Sequence, residues 1–211
     1  KPKHQHSERE SNNPFEISSI HGYSSFTPRD AAFADIDGDG DNDALIFITE
    51  SDEVAFFENV NGVFTENSAD NPFHTSTSII LGRGIGIDIA DYDDDGDLDA
   101  IIINASGVIT HFELGNDDHF YKDSYSPINS YSGSSSIYTG GRNAKFCDVD
   151  DDGDIDIVGT FSDSRLFISY LQQSDGSFSR QYGCPDAPNS GGNYYTNINM
   201  KDMDGDGDDD L

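Results

Sequence analysis

The sequence predicts an all-β fold built from repeated units, and three observations support this prediction. The 211 residues include 21 Gly, 14 Phe and 10 Tyr but no Trp, a composition that favours short strands and tight turns over long helices. Aspartate-rich windows of nine residues start at positions 35, 91, 148 and 202, and the spacings of 56, 57 and 54 residues indicate a repeat architecture. Runs with apolar residues at alternate positions precede each window, as expected for β-strands.

The charge is extreme but localised. The chain carries 11 Lys+Arg against 41 Asp+Glu, a formal net charge of -30 at pH 7. Such a chain is unsuited to nucleic acid or to anionic membranes, because both require clustered cations. No apolar run approaches the ~18 residues of a membrane span, which argues against membrane insertion. The four windows hold 23 of the 41 acids, so the remaining 18 acids against 11 bases leave only -7.

Aligned, the windows share the formula D-x-D-x-D-G-D-x-D, with Asp at positions 1, 3, 5, 7 and 9 and Gly at position 6. Ca²⁺ is a hard cation that takes 6–8 oxygen ligands, and alternate residues of a tightly curled loop can point carboxylates at one centre. Position 6 must turn sharply, which Gly tolerates, and position 7 usually contributes its backbone carbonyl. We therefore predict about four Ca²⁺ ions, one per loop. The predicted ligands are Asp35, Asp37, Asp39, Asp41, Asp43, Asp91, Asp93, Asp95, Asp97, Asp99, Asp148, Asp150, Asp152, Asp154, Asp156, Asp202, Asp204, Asp206, Asp208 and Asp210.

The loops do not fit an EF-hand, which needs a bidentate Glu at position 12 and flanking helices. Position 12 is Ile46, Ile102 or Gly159 in the first three windows. Short β-branched or aromatic runs follow these windows, so each loop is predicted to join two strands.

Each unit of ~56 residues has room for about four short strands separated by Gly, Asn, Asp or Ser turns. In the first unit we predict strands near 31–36, 44–49, 54–59 and 62–66. The predicted division of the chain is a polar extension at 1–13, an outer strand or linker at 14–30, repeats at 31–85, 86–142 and 143–195, and the start of a fourth repeat at 196–211.

These residues resemble the FG-GAP/VCBS repeat family, the calcium-loop repeats of integrin-α-like β-propellers. The resemblance rests on the loop formula between two strands, followed by a segment of the form v-x-x-f-x-N-x-x-G-x-F. That segment is VAFFENVNGVFTEN at 54–67, VITHFELGNDDHFYKD at 108–123 and LFISYLQQSDGSFSR at 166–180. The chain lacks clear FG and GAP signatures, which makes it more similar to the VCBS type. The resemblance implies β-propeller blades, each a four-stranded antiparallel sheet.

Three complete blades and the start of a fourth are fewer than single-chain propellers use. We therefore expect the sequence to be part of a longer propeller of about six to eight blades. The alternative is that several chains complete one another in an oligomer or filament.

The loops that lead into the first strand of each unit carry aromatic and small polar residues. A strand of about six residues places them ~20 Å from the aspartate loops, at the opposite face. Arginine and tyrosine side chains there could bind carboxylates or sugars of a protein or glycan ligand, although ordinary surface is the alternative. The candidate residues are Arg29, Arg83, Arg142, Tyr138, Tyr194 and Tyr195.

Two further features have structural alternatives. Cys147 and Cys184 could form a disulfide, but their expected positions on different strands favour a buried thiol at Cys147. Asn104-Ala105-Ser106 is a sequon for N-glycosylation at a predicted strand end.

The chain has no G-x-S-x-G or H-E-x-x-H motif, and its six histidines, at 4, 6, 21, 74, 111 and 119, show no ligand or triad spacing. We therefore predict that it is not an enzyme but an extracellular, secreted or cell-surface module for adhesion or ligand binding, with Ca²⁺ stabilising each blade. The alternatives are a structural subunit of an extracellular filament or assembly, and part of a carbohydrate-active enzyme such as a polysaccharide lyase.

Overall fold

The structure, a computed structural model, describes residues 28–48, 53–73, 84–123, 140–161, 166–182 and 197–199. These ranges form twelve β-strands in three antiparallel sheets. Within them we find no helix with the length and hydropathy needed to cross a membrane. The all-β prediction is confirmed.

Each repeat forms one four-stranded sheet whose strands are neighbours in chain order. Sheet A contains β1 (Pro28–Ala34), β2 (Asp43–Ile48), β3 (Glu53–Val60) and β4 (Val63–Glu66). Sheet B contains β5 (Gly84–Ala90), β6 (Asp99–Asn104), β7 (Ile109–Leu114) and β8 (Phe120–Lys122). Sheet C contains β9 (Gly141–Cys147), β10 (Asp156–Phe161), β11 (Leu166–Gln172) and β12 (Phe178–Tyr182).

The aspartate windows connect the first and second strands of each sheet, as predicted. The downstream segments form the third and fourth strands. In sheet A these two strands meet at Asn61-Gly62, where both residues have positive φ, 54° and 85°. Two consecutive left-handed residues match the right-handed twist of a hairpin, which explains why Asn-Gly lies there.

Successive residues of a strand point to opposite sides of its sheet. Because the central strands β2, β6 and β10 are nearly continuous apolar runs, both faces of the sheets are apolar. In β2, Leu45 and Phe47 belong to the cluster between sheets A and B, which also contains Ile87 and Phe112. In β6, Ile102 belongs to this cluster, whereas Ile101 and Ile103 belong to the cluster between sheets B and C. The three sheets are therefore stacked face to face through two apolar layers. Ile198, from the start of the fourth repeat, packs on the far face of sheet C with Cys147 and Val158.

Polar contacts join the first strands of the three sheets. Lys145 on β9 lies 3.2 Å from Asp88 on β5 and 3.6 Å from Asp30 on β1, and its side chain is 14% exposed. Asp88 also accepts a 2.8 Å hydrogen bond from the backbone N–H of Phe146. Asp30 accepts hydrogen bonds of 3.1 Å from the Ile87 backbone and the Asn143 side chain. Burial raises the pKa of Asp88, and the charge of Lys145 opposes this effect. One lysine thus connects the first strands of the three described sheets.

The residues two before each aspartate loop face the preceding sheet. Phe146 is 9% exposed and packs against sheet B, and Ile89 packs against sheet A. Phe33, at the equivalent position of β1, is 52% exposed and contacts Phe64 edge-to-face at a ring-centroid distance of 6.3 Å. Sheet A therefore presents an aromatic patch on the face turned away from sheet B.

We predict that Lys145→Met lowers the free energy of unfolding by about 1–3 kcal/mol, because it leaves two partly buried carboxylates without their cation. The double variant Asp88→Asn/Lys145→Met should recover part of this loss. Urea denaturation measures both effects, with Lys122→Met on exposed β8 as the control. Equal stabilities for Lys145→Met and Lys122→Met would contradict the bridging role.

Candidate metal centres in the aspartate loops

The three described loops share one hydrogen-bond pattern. The first aspartate of each loop accepts a bond from the backbone N–H of the glycine at position 6. The distances are 3.0 Å for Gly40 to Asp35, 3.1 Å for Gly96 to Asp91 and 3.0 Å for Gly153 to Asp148. The loop therefore curls back on its first carboxylate.

The ninth aspartate is buried in every described loop. Asp43, Asp99 and Asp156 are 0%, 4% and 0% exposed. One oxygen of each accepts the backbone N–H of loop position 2, at 3.1 Å, 3.0 Å and 2.9 Å. The other oxygen of Asp43 and Asp156 accepts a 2.8 Å bond from the backbone of the third strand, at Asn59 and Gln172. This carboxylate thus holds the loop onto its sheet.

Two loop positions have left-handed backbone conformations. Position 6 has φ of 96°, 94° and 91° at Gly40, Gly96 and Gly153, and an added Cβ would meet no atom within 4 Å there. The requirement for glycine is therefore conformational rather than steric. Position 4 is also left-handed: it is Gly38 in the first loop but Asp94 and Asp151 in the next two, with φ of 61° and 57°. Aspartate tolerates this region better than most residues do.

Positions 1 and 3 meet in all three loops, and a third carboxylate completes each group. The groups that could hold a metal ion are Asp35, Asp37 and Asp39 in the first loop, Asp91, Asp93 and Asp99 in the second, and Asp148, Asp150 and Asp156 in the third. In each group, one ligand atom per residue lies within 4.8 Å of the others. The structure thus brings together three of the five predicted ligands per loop.

The other predicted ligands in these loops have different surroundings. The position 7 side chain of Asp41 accepts a 2.8 Å hydrogen bond from the backbone of Asn61, at the β3–β4 turn. The carboxylates of Asp95 and Asp152, at position 5, accept the backbone N–H of position 7. In the first loop, the position 7 carboxylate therefore has one oxygen engaged by the β3–β4 turn. The fourth loop, with Asp202, Asp204, Asp206, Asp208 and Asp210, lies outside the described residues.

One oxygen in two of the groups is buried without a hydrogen-bond partner. It is Oδ1 of Asp35 and Oδ1 of Asp148, both at loop position 1. A buried carboxylate oxygen with no donor is unfavourable unless a cation satisfies it. The chemistry of these donor sets, all of them carboxylate oxygens, fits a hard divalent cation.

Desolvation, and after it the crowding of carboxylates, raises the pKa of several loop aspartates. Desolvation raises the pKa of the position 3 carboxyl in all three loops, at Asp37, Asp93 and Asp150, although these side chains are largely exposed. Neighbouring aspartates of the same loop raise these pKa values further. Desolvation raises the pKa of buried Asp156 to about 6, against the effect of its two backbone hydrogen bonds. The loops therefore attract cations or protons.

Arg29 and Arg142 lie at the opposite ends of the first strands from the aspartate loops. Each is the second residue of its strand, β1 or β9, and is exposed, whereas the loop follows the last residue. At ~3.3 Å per residue this separates them from the loops by roughly 17–20 Å. Arg83, Tyr138, Tyr194 and Tyr195 lie outside the described residues.

Asn104 and Cys147 have defined surroundings. The side-chain oxygen of Asn104 accepts the backbone N–H groups of Ser106 and Val108, at 2.9 Å and 3.0 Å, and so shapes the β6–β7 turn. Glycosylation there stays a prediction. Cys147 is 2% exposed at the end of β9, and Cys184 lies outside the described residues, so their redox state also stays a prediction.

The second repeat contains a further group of ligand-type residues that was not predicted from the sequence. His111 and Glu113 on β7 and Asp123 just after β8 bring one ligand atom each within 4.8 Å of one another. His111 is 2% exposed, and its Nε2 lies 3.2 Å from Oδ1 of Asp99. The H-x-E spacing of His111 and Glu113 on one strand could have indicated a ligand pair. The third residue, Asp123, lies ten residues beyond Glu113 and has no such signal.

Comparison with known proteins adds no family to these observations. No model of a known protein family matches the chain, and no curated protein matches it. The resemblance to FG-GAP/VCBS repeats therefore stays a prediction.

We predict that the metal-free protein loses stability as the pH rises from about 4 to 7. The pKa of Asp156 is about 6 in the folded protein against 3.8 for an unperturbed aspartate, so the folded state binds the proton more tightly. A raised folded pKa favours folding below the unfolded value, and this contribution is lost as the pH passes the folded value. Melting temperatures in chelator-treated buffer measure this trend.

The matched variant for this prediction is Asp156→Asn. Its melting temperature should be lower overall but flatter than that of the wild type between pH 4 and pH 6. Parallel curves for the two proteins would show that Asp156 does not titrate in this window.

Proposed function

We propose that the chain is an extracellular calcium-binding repeat module of the β-propeller type, which serves adhesion or ligand binding. In this proposal Ca²⁺ occupies each aspartate loop and fixes the turn between the first two strands of a blade. The ligand, a protein or a glycan, binds at the end opposite the loops. The module itself is not catalytic.

The observation that carries the calcium proposal is the repetition of one loop geometry in three sheets. Each described loop brings three carboxylates together. In each, the first aspartate accepts the backbone N–H of position 6 and the ninth aspartate accepts the backbone N–H of position 2. Each loop also buries its ninth aspartate, which a solvated acidic turn does not require. A cation would also satisfy the buried Oδ1 atoms of Asp35 and Asp148, which have no hydrogen-bond partner.

Calcium is favoured over magnesium by the number and type of oxygens available. Ca²⁺ accepts 6–8 oxygens at about 2.3–2.6 Å in irregular geometry, whereas Mg²⁺ requires a near-ideal octahedron and usually keeps several waters. Extracellular calcium is millimolar, which fills even sites with Kd of ~10⁻⁴–10⁻³ M. A calcium-dependent fold therefore suits a location outside the cell.

The propeller proposal is supported by how the sheets stack. Sheets A and B, and sheets B and C, share apolar layers, and their first strands are joined through Lys145. Four-stranded sheets placed radially have their first strands together at the axis and their last strands outside. We propose that sheets A, B and C are successive blades in this sense.

A structural role in an assembly is the second candidate, and the exposed Phe33 favours it. The ring is 52% exposed on a face whose equivalents in sheets B and C pack against a neighbouring sheet. A further four-stranded sheet of the same type would cover it, whether in the same chain or in another copy. Negative-stain microscopy for rings or filaments separates assembly from a binding role.

We predict that chelation lowers the melting temperature by many degrees, that Ca²⁺ restores it and that Mg²⁺ restores it poorly. The physical reason is that ions bound only by the folded loops add folding free energy by mass action. Asp150→Asn should remove one calcium equivalent, measured by isothermal titration calorimetry. Asp118→Asn, an exposed turn residue outside the loops, is the matched control and should keep the wild-type stoichiometry. An unmoved melting curve in EDTA would overturn the calcium proposal.

We also predict that Arg142→Ala weakens binding of an acidic oligosaccharide built from uronic acids at least tenfold. A guanidinium forms paired hydrogen bonds with a carboxylate that a neutral side chain cannot replace. Calorimetric titration of the calcium-loaded protein measures the change, with Lys122→Ala on β8 as the control. If the wild type binds and both variants bind equally well, Arg142 has no part in ligand recognition.

A further inference from the structure

The second repeat departs from the pattern of the other two at its ninth aspartate. Asp43 and Asp156 each use Oδ1 to accept a backbone N–H from the third strand, at Asn59 and Gln172. Oδ1 of Asp99 instead lies 3.2 Å from Nε2 of His111, a side chain of the third strand β7. A buried imidazole beside the second aspartate loop thus takes the place of the backbone N–H found in the other two.

The other nitrogen of this imidazole is buried without a hydrogen-bond partner. Nδ1 of His111 has no donor or acceptor within bonding distance, and the residue is 2% exposed. The nearest charged atom is Oδ2 of Asp123, at 3.6 Å. Nδ1, a carboxylate oxygen of Glu113 and a carboxylate oxygen of Asp123 all lie within 4.8 Å of one another.

The contact with Asp99 fixes the form of the imidazole. A carboxylate can only accept, so Nε2 carries the hydrogen and the neutral ring has its lone pair on Nδ1. That lone pair then faces the oxygens of Asp123 and Glu113, which are also acceptors. His111 is buried, whereas Asp123 is half-buried and Glu113 is exposed, so the group is open to solvent on one side. Three acceptors that face one another are unfavourable unless a proton or a metal ion lies between them.

We propose that His111, Glu113 and Asp123 bind a divalent transition-metal ion of the Zn²⁺ type, with Asp99 as the carboxylate that orients the imidazole. This site goes beyond the calcium-loop proposal, since its ligands lie outside the nine-residue loops. A nitrogen ligand selects for zinc-type ions over calcium, which prefers oxygen alone. A carboxylate on the far nitrogen of a metal-binding histidine is the common arrangement in zinc proteins.

The distances agree with this assignment. Zinc binds histidine nitrogen and carboxylate oxygen at about 2.0–2.2 Å, so tetrahedral ligands lie about 3.3 Å apart. The 3.6 Å between Nδ1 and Oδ2 of Asp123 needs only a small closure, and the Glu113 oxygen, within 4.8 Å of the other ligand atoms, must also move in on metal binding. The edge of Tyr92 packs on the His111 ring at a centroid distance of 4.8 Å and restricts its rotation. Three protein ligands leave a fourth position for water or a partner's side chain.

Co²⁺, which reports tetrahedral sites through visible absorption, is the first probe. The calcium-saturated protein is titrated with Co²⁺ and then with Zn²⁺. We expect one equivalent of Co²⁺ with tetrahedral absorption bands, displaced by Zn²⁺. Asp123→Asn should weaken this binding at least tenfold. His119→Gln, on the neighbouring turn, and Asp150→Asn, in the third aspartate loop, should leave it unchanged.

Nitrogen NMR of the histidine rings provides the second readout and does not depend on a folded His111 variant. Zinc should shift Nδ1 of His111 in the wild type and leave His119 unmoved. Two protonated ring nitrogens on His111 at neutral pH, unaffected by zinc, would show that a proton fills the site and would overturn the proposal. So would Co²⁺ binding that Asp123→Asn does not weaken. The calcium-loop proposal would survive either result, because its readout is the calcium-dependent melting temperature.

Discussion

The burial of one carboxylate at the end of each of the three described aspartate loops is the constraint on which the remaining architecture depends. Asp43, Asp99 and Asp156 are almost wholly inaccessible to solvent and hold the start of the second strand to the loop and to the third strand. A carboxylate in such a position is tolerated only with a full set of donors. The loop must therefore curl in one way, and that curl brings the remaining acids of positions 1 and 3 together.

Apolar and polar residues occupy different positions along the strands. The middle of each central strand has apolar residues on both faces and binds the sheets into a stack. The carboxylates gather at the strand ends, except where Asp30, Asp88 and Lys145 join the first strands. Cation binding at the ends can thus change the local turns without disturbing the apolar layers.

Much of this arrangement could be predicted from local patterns in the sequence. The aspartate period predicted one sheet for each of the three windows that the structure describes, and the apolar runs ALIFI and AIIIN predicted a strand after the loop. The contacts of His111 could not be predicted, because they depend on the register that sets β7 between β6 and β8. The bridge from Lys145 to Asp30 joins residues more than a hundred positions apart, and only sheet stacking brings them together. The roles of Asp41 and Asp43 within one loop differ for a similar reason: each depends on the β3–β4 hairpin.

The left-handed glycine of each loop has a consequence for chemical ageing. Every described loop contains an Asp-Gly bond, at Asp39-Gly40, Asp95-Gly96 and Asp152-Gly153. Such bonds rearrange to isoaspartate when the glycine nitrogen attacks the preceding side chain. Here that nitrogen donates its hydrogen to the first aspartate of the loop at 3.0–3.1 Å and is turned away from attack. The curl that gathers the carboxylates therefore also protects these three Asp-Gly bonds, and unwinding a loop exposes its bond to this rearrangement.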